Sequence, residues 1–387
     1  MSSVLDTYAR KGVSFIKGKG SYLYTENGDK YLDFVQGIAT NILGHCHEHL
    51  VETIQNQSKK LWHVSNAFII PEQERLAKRL TDNTFADFVC FQNSGTEATE
   101  ASIKIARKYF HKIGKPEKNR IITFEGAFHG RTLAALFAAN NPKHTEGFGP
   151  KVDGFDQVPF ADHEAVKKAI NKNTAAIMIE TIMGEGGIKV VPDFCIKGLR
   201  EICDEHNILL ILDEVQSAYR TGNFFAFEQS GVIPDIVPIA KGIGGGFPLG
   251  ACLVTKKVSV GMTPGSHGST FGGNPLAMSV GNAVLDVIFE KDFMNNVKKK
   301  GQYFDQALKK VKDKYPKIIN EIRGLGLIKG IKTQVDNVKF IQKLIEHKML
   351  AVKAEENVIR LFPPLTVSDK ELDEAITKIE KVCKEMS

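Results

Sequence analysis

Between residues 88 and 255, short apolar runs alternate with stretches of helical period, and this alternation restricts the fold more than any single motif. Six runs read as strands: 88–92, 120–124, 175–180, 208–213, 236–240 and 250–255, each bounded by Gly, Asn, Asp or Pro. Between them lie helical patterns; in 97–110, Ala98, Ala101, Ile105 and Tyr109 fall on one face. The expected product is an α/β fold, a mostly parallel sheet with helices on both sides. From about Asn282 the texture shifts to lysine-rich helical patterns, 293–314 and 336–347, where a second, smaller unit is expected. Residues 20–34 read as a hairpin turning at Asn27-Gly28.

Composition removes several function classes. The 387 residues leave room for two or three domains with a large core. With 42% apolar and 25% charged residues, the chain is neither disordered, collagenous nor a coiled coil. Lys and Arg outnumber Asp and Glu by 51 to 45, a small excess, and no basic stretch is interleaved with aromatics, so a nucleic-acid partner is not expected. No apolar run approaches the ~18 residues that span a bilayer, and residues 1–10 lack a signal-type apolar core. A soluble, cytoplasmic protein with no membrane partner is expected. The six cysteines form no CxxC pair and read as free thiols.

Three segments carry candidate chemistry. Asn93-Ser94-Gly95-Thr96-Glu97 follows a candidate strand and opens a candidate helix. Ser94 or Thr96 can cap that helix, and its free N–H groups suit a phosphate; an ordinary N-cap explains the same residues. Neither a Walker A pattern nor a strand–GxGxxG–helix unit occurs. Asp213 ends the run Ile208-Leu-Leu-Ile-Leu, where it could pair with a cationic ring nitrogen, bind a metal or cap a helix. Lys241 ends Ile236-Val-Pro-Ile-Ala and leads into Gly242-Ile-Gly-Gly-Gly246. Burial there would lower its pKa and free an amine nucleophile, while position alone leaves a surface lysine open. Gly44-His45-Cys46-His47-Glu48-His49 looks like a metal cluster, but its ligands are crowded into five residues with no second Cys/His group, and no metal is expected. His63, His111 and His144 read as ordinary core or surface residues.

A phosphate-type helix start, a strand-end Asp and a strand-end Lys together suit pyridoxal 5'-phosphate, which needs a phosphate cup, a carboxylate for its ring nitrogen and a lysine for its aldehyde. The chain resembles the class III pyridoxal-phosphate aminotransferases of fold type I from about Phe15 to its C-terminus. The resemblance rests on Gly37-Ile-Ala-Thr-Asn-Ile-Leu-Gly-His45, Leu61-Trp-His-Val-Ser-Asn66, Asn93-Ser-Gly-Thr-Glu-Ala98, Ala127-Phe-His-Gly-Arg-Thr132, Gly184-Glu-Gly-Gly187, Asp213-Glu-Val-Gln216, the Lys241 run and Ser269-Thr-Phe-Gly-Gly-Asn-Pro275.

The resemblance implies a large domain with a mainly parallel, seven-stranded type of sheet and a small α+β domain built from both termini, with limits at 1–50, 51–281 and 282–387. It implies that Lys241 bonds the cofactor aldehyde, that Gly95 and Thr96 hold its phosphate and that Phe128 stacks on its ring. Asp213 would keep the ring nitrogen protonated, Gln216 would bond the ring oxygen, and Glu214 and Val215 belong to the same cofactor-binding run. Thr270 would reach the phosphate of a partner subunit, making a homodimer the active unit. Arg131 would hold the substrate carboxylate remote from the amine, and Ser269 would also touch substrate. Arg360 would hold the α-carboxylate of glutamate and pair with Glu185 when the other substrate is bound. Within the class the likeness implies transfer of the δ-amine of N2-acetylornithine to 2-oxoglutarate, a step of arginine biosynthesis. Other ω-amine donors (ornithine, succinylornithine, N-succinyl-diaminopimelate, 4-aminobutyrate) or an aminomutase reaction are the alternatives. Thr181 and Met183 depart from the usual Pro and Gln, Glu48 from the usual Pro, and the run 213–222 is one residue short.

Overall fold

The computed structural model describes residues 3–10 and 12–387. Met1, Ser2 and Lys11, part of the N-terminal segment expected in the smaller unit, lie outside the described residues. Seven strands form the main sheet, in the order Phe88–Gln92, Gly250–Val254, Ile236–Ile239, Leu209–Asp213, Thr174–Glu180, Arg120–Phe124 and Phe155–Val158. Only Gly250–Val254 runs against its neighbours, antiparallel to both; the other neighbouring pairs are parallel. The strands expected from sequence are present within one residue at each end.

Successive residues of a strand face opposite sides, and the sheet uses this to feed two cores. Leu209 and Ile211 join Ala101 and Ile105 of the helix Gly95–Lys112. Leu210 and Leu212 join Ile196, Leu199 and Cys203 of the helix Asp193–Glu205 on the other face. Cover on both faces is why the central runs are apolar at every position. The strand Phe155–Val158 escaped the sequence reading for the complementary reason. It is an edge strand whose middle residues, Asp156 and Gln157, are polar, and Asp156 bonds Arg120 at 2.8 Å.

One of the smaller sheets joins the two ends of the chain. The hairpin Tyr22–Tyr24 and Lys30–Asp33 is extended by Met349–Leu350, which runs parallel to Lys30–Asp33. A second sheet orders Ile319–Leu325, Ile328–Thr333, Val358–Leu361 and Val352–Ala354, all antiparallel. Helices Phe293–Lys314, Asn337–Glu346 and Asp369–Glu385 belong to the same C-terminal part, the last opened by a capping box between Ser368 and Glu371. Residues 282–387 with the N-terminal 50 remain the proposed small domain; the buried helix Pro275–Ile288 runs through position 282 and carries the chain between the two parts. All six cysteines are free thiols.

Parallel strands place their C-terminal ends on one edge of the sheet, where ligands of open α/β sheets bind. Asp213 and Glu180 end two central strands, Lys241 follows Ile236–Ile239, and Gly95 follows Phe88–Gln92.

Candidate active site

A cavity of about 200 Å3 lies at that edge, and Lys241, Asp213, Gly95, Thr96, Phe128, Arg131, Val215 and Gln216 all line it. These residues come from four separate sheet-to-loop connections, so the topology gathers what the sequence scatters. A larger hollow of about 770 Å3, walled by Phe91, Gln92 and Ser269, contains none of them.

The helix start is built as an anion cup. Ser94 is the N-cap and accepts from Glu97 N, while the Glu97 carboxylate accepts from Asn93 N at 2.8 Å and from the Ser94 hydroxyl at 3.0 Å. The backbone N–H groups of Gly95 and Thr96 stay available within the first turn, where helix N–H groups have no intrahelical acceptor. A side chain at Gly95 would come within 2.6 Å of Val215 Cγ1 and fill the cup. Thr96 does not cap; its Oγ1 accepts from Arg131 N and Thr132 N, each at 3.1 Å, tying the Arg131 loop to the cup. Gly130, at φ +136°, permits that approach, since a Cβ there would stand 2.2 Å from Thr96 Oγ1.

Asp213 is buried and doubly anchored. His129 Nδ1 lies 2.8 Å from its Oδ2, and Val215 N donates to its Oδ1 at 2.9 Å. Burial alone would lower the pKa of His129, but the hydrogen bond and charge of Asp213, with Glu180 behind it, raise it. Glu180 accepts from Phe128 N at 2.8 Å and Gly184 N at 3.2 Å, fixing the backbone on either side of the cavity. Its own carboxyl is raised by burial and by Asp213. Sequence reasoning missed both, although His129 lies inside the quoted 127–132 motif and Glu180 ends the run 175–180.

Lys241 sits at φ +49°, a left-handed conformation that costs a non-glycine residue about 1–3 kcal/mol and is found at functional positions. Burial holds its ammonium down at about 8, with Arg360 adding to the effect and Glu180, Glu185 and Asp213 opposing it. An amine in that range is partly neutral at physiological pH, as a nucleophile requires.

Gln216 Oε1 is buried without a partner, as is His129 Nε2. An orphaned acceptor on the cavity wall, an N–H cup at one end, a carboxylate at another and a lysine between them form a donor set that fits pyridoxal phosphate. Glu214 turns away from the cavity; its carboxylate accepts from Thr181 Oγ1 at 2.8 Å, Ser217 Oγ at 2.5 Å and Phe227 N at 3.1 Å. Two of the sequence departures, Thr181 and the shortened run with Ser217, thus meet on one buried carboxylate.

Arg360 is 2% exposed. Its Nη1 stands 2.7 Å from Glu185 Oε1, and Nε and Nη2 donate to Lys353 O at 3.1 and 2.9 Å. Arg131 is exposed, stacks 5.5 Å from the Phe128 ring and touches His144. Ser269 and Thr270 do not line the Lys241 cavity of their own chain; Ser269 Oγ accepts from Asn93 Nδ2 at 3.1 Å, and Thr270 is exposed. The histidines of the 44–49 segment diverge: His45 bonds Asp33 at 2.7 Å and His49 bonds Asp286 at 3.0 Å. Among the described residues, no group of three or more His, Cys, Asp or Glu could hold a metal ion.

Comparison with known proteins agrees with this geometry. The acetylornithine aminotransferase of Agrobacterium fabrum is 55% identical over 97% of this chain and 95% of that protein. Among solved structures, an ornithine aminotransferase from Toxoplasma gondii, described with partial occupancy of PLP at its active site, superposes with a TM-score of 0.94 at 32% identity, covering 98% of this chain and 92% of that one. An N-acetylornithine aminotransferase from Stenotrophomonas maltophilia gives 0.85 at 32% identity, with coverage of 98% and 97%. The family Aminotransferase class-III matches residues 7–383, and with the lysine, carboxylate and anion cup assembled at one sheet edge, the chain belongs to the class III aminotransferases.

Proposed function

We propose that the protein transfers the δ-amino group of N2-acetylornithine to 2-oxoglutarate, yielding N-acetylglutamate 5-semialdehyde and glutamate. The observation that carries the choice within the class is the 55% identity to an acetylornithine aminotransferase over nearly the whole chain. When bound, pyridoxal phosphate supplies an aldehyde that takes up and releases the amino group and a cationic ring that stores the bonding electrons.

This chain's residues do the rest. Gly95 and Thr96 would offer backbone N–H groups to the phosphate, and Phe128 and Val215 would flank the ring. Asp213, held by His129 and Val215 N, keeps a proton on the ring nitrogen. Gln216 Oε1, otherwise without a partner, would accept from the ring hydroxyl. Lys241 Nζ would hold the aldehyde, and as a free amine it would carry a proton to and from the substrate carbon. A pKa near 8 lets the same amine take and give that proton.

Two arginines divide the carboxylates. Arg131 holds the one remote from the reacting amine, which both substrates possess. Arg360 takes the α-carboxylate of glutamate and is neutralised by Glu185 when acetylornithine, which has no charge there, is bound.

The active unit is a homodimer in which Thr270 reaches the phosphate of the other subunit. Supporting this are the exposed Thr270 and the exposed apolar residues around it and across the adjoining segment: Phe271 at 60%, Trp62 at 64%, Phe68 at 66% and Ile69 at 84%. No helix among the described residues is long and apolar enough to cross a membrane, and a cytoplasmic site of action fits the reaction. The deciding experiment offers acetylornithine, ornithine, succinylornithine, N-succinyl-diaminopimelate and 4-aminobutyrate in turn with 2-oxoglutarate and measures glutamate. Turnover best with an amine other than acetylornithine would overturn the substrate assignment, and turnover without 2-oxoglutarate would point to an aminomutase.

A further inference from the structure

Arg131 is an unusual anchor for a substrate carboxylate, because the fold does little to hold it. It has no acidic partner among the described residues, and its side chain is exposed. A free arginine loses much rotamer freedom when a ligand fixes it, which weakens binding unless something has fixed it beforehand.

Among the described residues, the polar side chain hydrogen-bonded to the guanidinium is that of His144, whose Nε2 lies 3.3 Å from Arg131 Nη2. Both sit on Phe128: the imidazole stands edge-on to that ring, 6.2 Å between centroids at 88°, and the guanidinium lies 5.5 Å from its centroid. Phe128, Arg131 and His144 therefore form a closed triangle at the mouth of the Lys241 cavity.

The turn carrying His144 is set independently of Arg131. Pro142 opens the short helix Pro142–Thr145, the Asn141 side chain accepts from Lys143 N at 3.1 Å, and His144 N donates to Asn141 O at 2.8 Å. Lys143 Nζ reaches both oxygens of Glu355, at 3.0 and 3.2 Å, and Glu355 N donates to Glu185 O at 2.9 Å. The same turn is thus tied to the backbone beside the Arg360 partner. The Lys143–Glu355 pair is exposed, and such pairs hold little by themselves; the backbone bonds fix the turn and the imidazole makes the contact. To accept from a guanidinium, Nε2 must be bare and the ring neutral with its proton on Nδ1. Partial burial and the Arg131 charge both lower the His144 pKa, which favours that neutral form.

We infer that His144 is a positioning residue for Arg131, fixing the guanidinium for the remote carboxylate and so setting the preference for amines that carry one. The inference rests on the assignment of Arg131 made above. The test compares N2-acetylornithine with N-acetylputrescine, the same amine without the carboxylate, using the cofactor-loaded enzyme and 2-oxoglutarate. The variants are His144→Ala, His144→Gln, Arg131→Met and the double variant His144→Ala/Arg131→Met.

With acetylornithine, His144→Ala should raise KM about 3–10-fold, the scale of one weak hydrogen bond, while kcat stays within about twofold. Affinity for 2-acetamidopentanoate, which has the carboxylate but no amine to react, should fall by the same factor in titration calorimetry. His144→Gln, whose amide oxygen can accept the same bond, should recover most of the loss. In the Arg131→Met background the His144 substitution should change nothing further, and kcat/KM for N-acetylputrescine should be insensitive to it throughout. Equal effects on both amines, or an undiminished effect in the Arg131→Met background, would reduce His144 to a structural residue and overturn the inference. If Arg131→Met abolishes the preference for the carboxylate while His144→Ala leaves it intact, the inference alone fails. If Arg131→Met leaves the preference intact, the assignment of Arg131 fails with it.

Discussion

Arg360 and Arg131, both proposed to hold a carboxylate, lie in opposite surroundings. Arg360 is buried, ion-paired with Glu185 and bonded twice to Lys353 O. Arg131 is exposed and rests on an aromatic face and a neutral histidine. The difference follows from desolvation. A guanidinium taken out of water must be paired, so a buried arginine that is to bind one substrate and ignore another needs a built-in counter-ion for the interval between them. An arginine at the solvent edge needs no counter-ion and only has to be pointed the right way. On the proposed roles, selectivity between two substrates would be placed where charge is expensive, and the binding common to both where it is cheap.

The comparison presumes that chemistry occurs between the two arginines, at Lys241. Lys241→Ala should lower turnover by ~10³-fold or more, since it removes both the amine that holds the aldehyde and the proton carrier. The visible absorbance of the bound cofactor should change with it. Turnover at a tenth of the normal rate would remove Lys241 from the mechanism, and the arginines would then flank the wrong centre.

A smaller loss is expected at the other end of the ring. Asp213→Asn should retain cofactor yet lose activity by at least ~100-fold, because a neutral amide cannot stabilise a charged ring nitrogen. The measurement is kcat at a matched level of bound cofactor, and an unchanged value would make Asp213 only the anchor of His129 and Val215 N.

The comparison itself is broken or upheld by Glu185→Gln. Without its counter-ion Arg360 should favour amines with an α-carboxylate, shifting preference by ~1–3 kcal/mol, the range for a charge-assisted hydrogen bond. Single-turnover kinetics of the two half-reactions should keep or quicken the glutamate half and slow the acetylornithine half. Equal slowing of both would mean that Glu185 merely supports the loop.

The smallest effect sharpens the electrostatic side. In the cofactor-free protein, acylation of Lys241 followed by mass spectrometry should reach half its maximal rate near pH 8 rather than 10.5. Arg360→Met should move that midpoint upward, since Arg360 favours the neutral amine, whereas Arg131→Met should leave it in place. A midpoint indifferent to Arg360 would put the buried arginine too far from the lysine to influence it.

Much of this was legible in the residues taken in order. Short runs that are apolar at every position specify strands covered on both faces, and Ser94 three residues before Glu97 specifies a helix start, because both are local devices. The strand-end positions of Asp213 and Lys241 follow from the same pattern, and the resemblance to a family then attached roles to them. The reading stopped where partners are distant in sequence. His144 looked ordinary because its significance lies in Arg131 and Phe128, which belong to another loop. Glu214 looked like a cavity residue because its neighbours Asp213 and Val215 are; the turn after the strand aims it instead at Thr181 and Ser217. The 155–158 strand looked polar because Asp156 answers Arg120 across the sheet edge. Sequence by itself determined the elements and the types of chemistry available, since those depend on a residue and its near neighbours. Only the tertiary structure decided which charges meet: whether a carboxylate is paired, an arginine desolvated or a lysine kept partly neutral depends on groups brought together from remote parts of the chain in a low-dielectric interior.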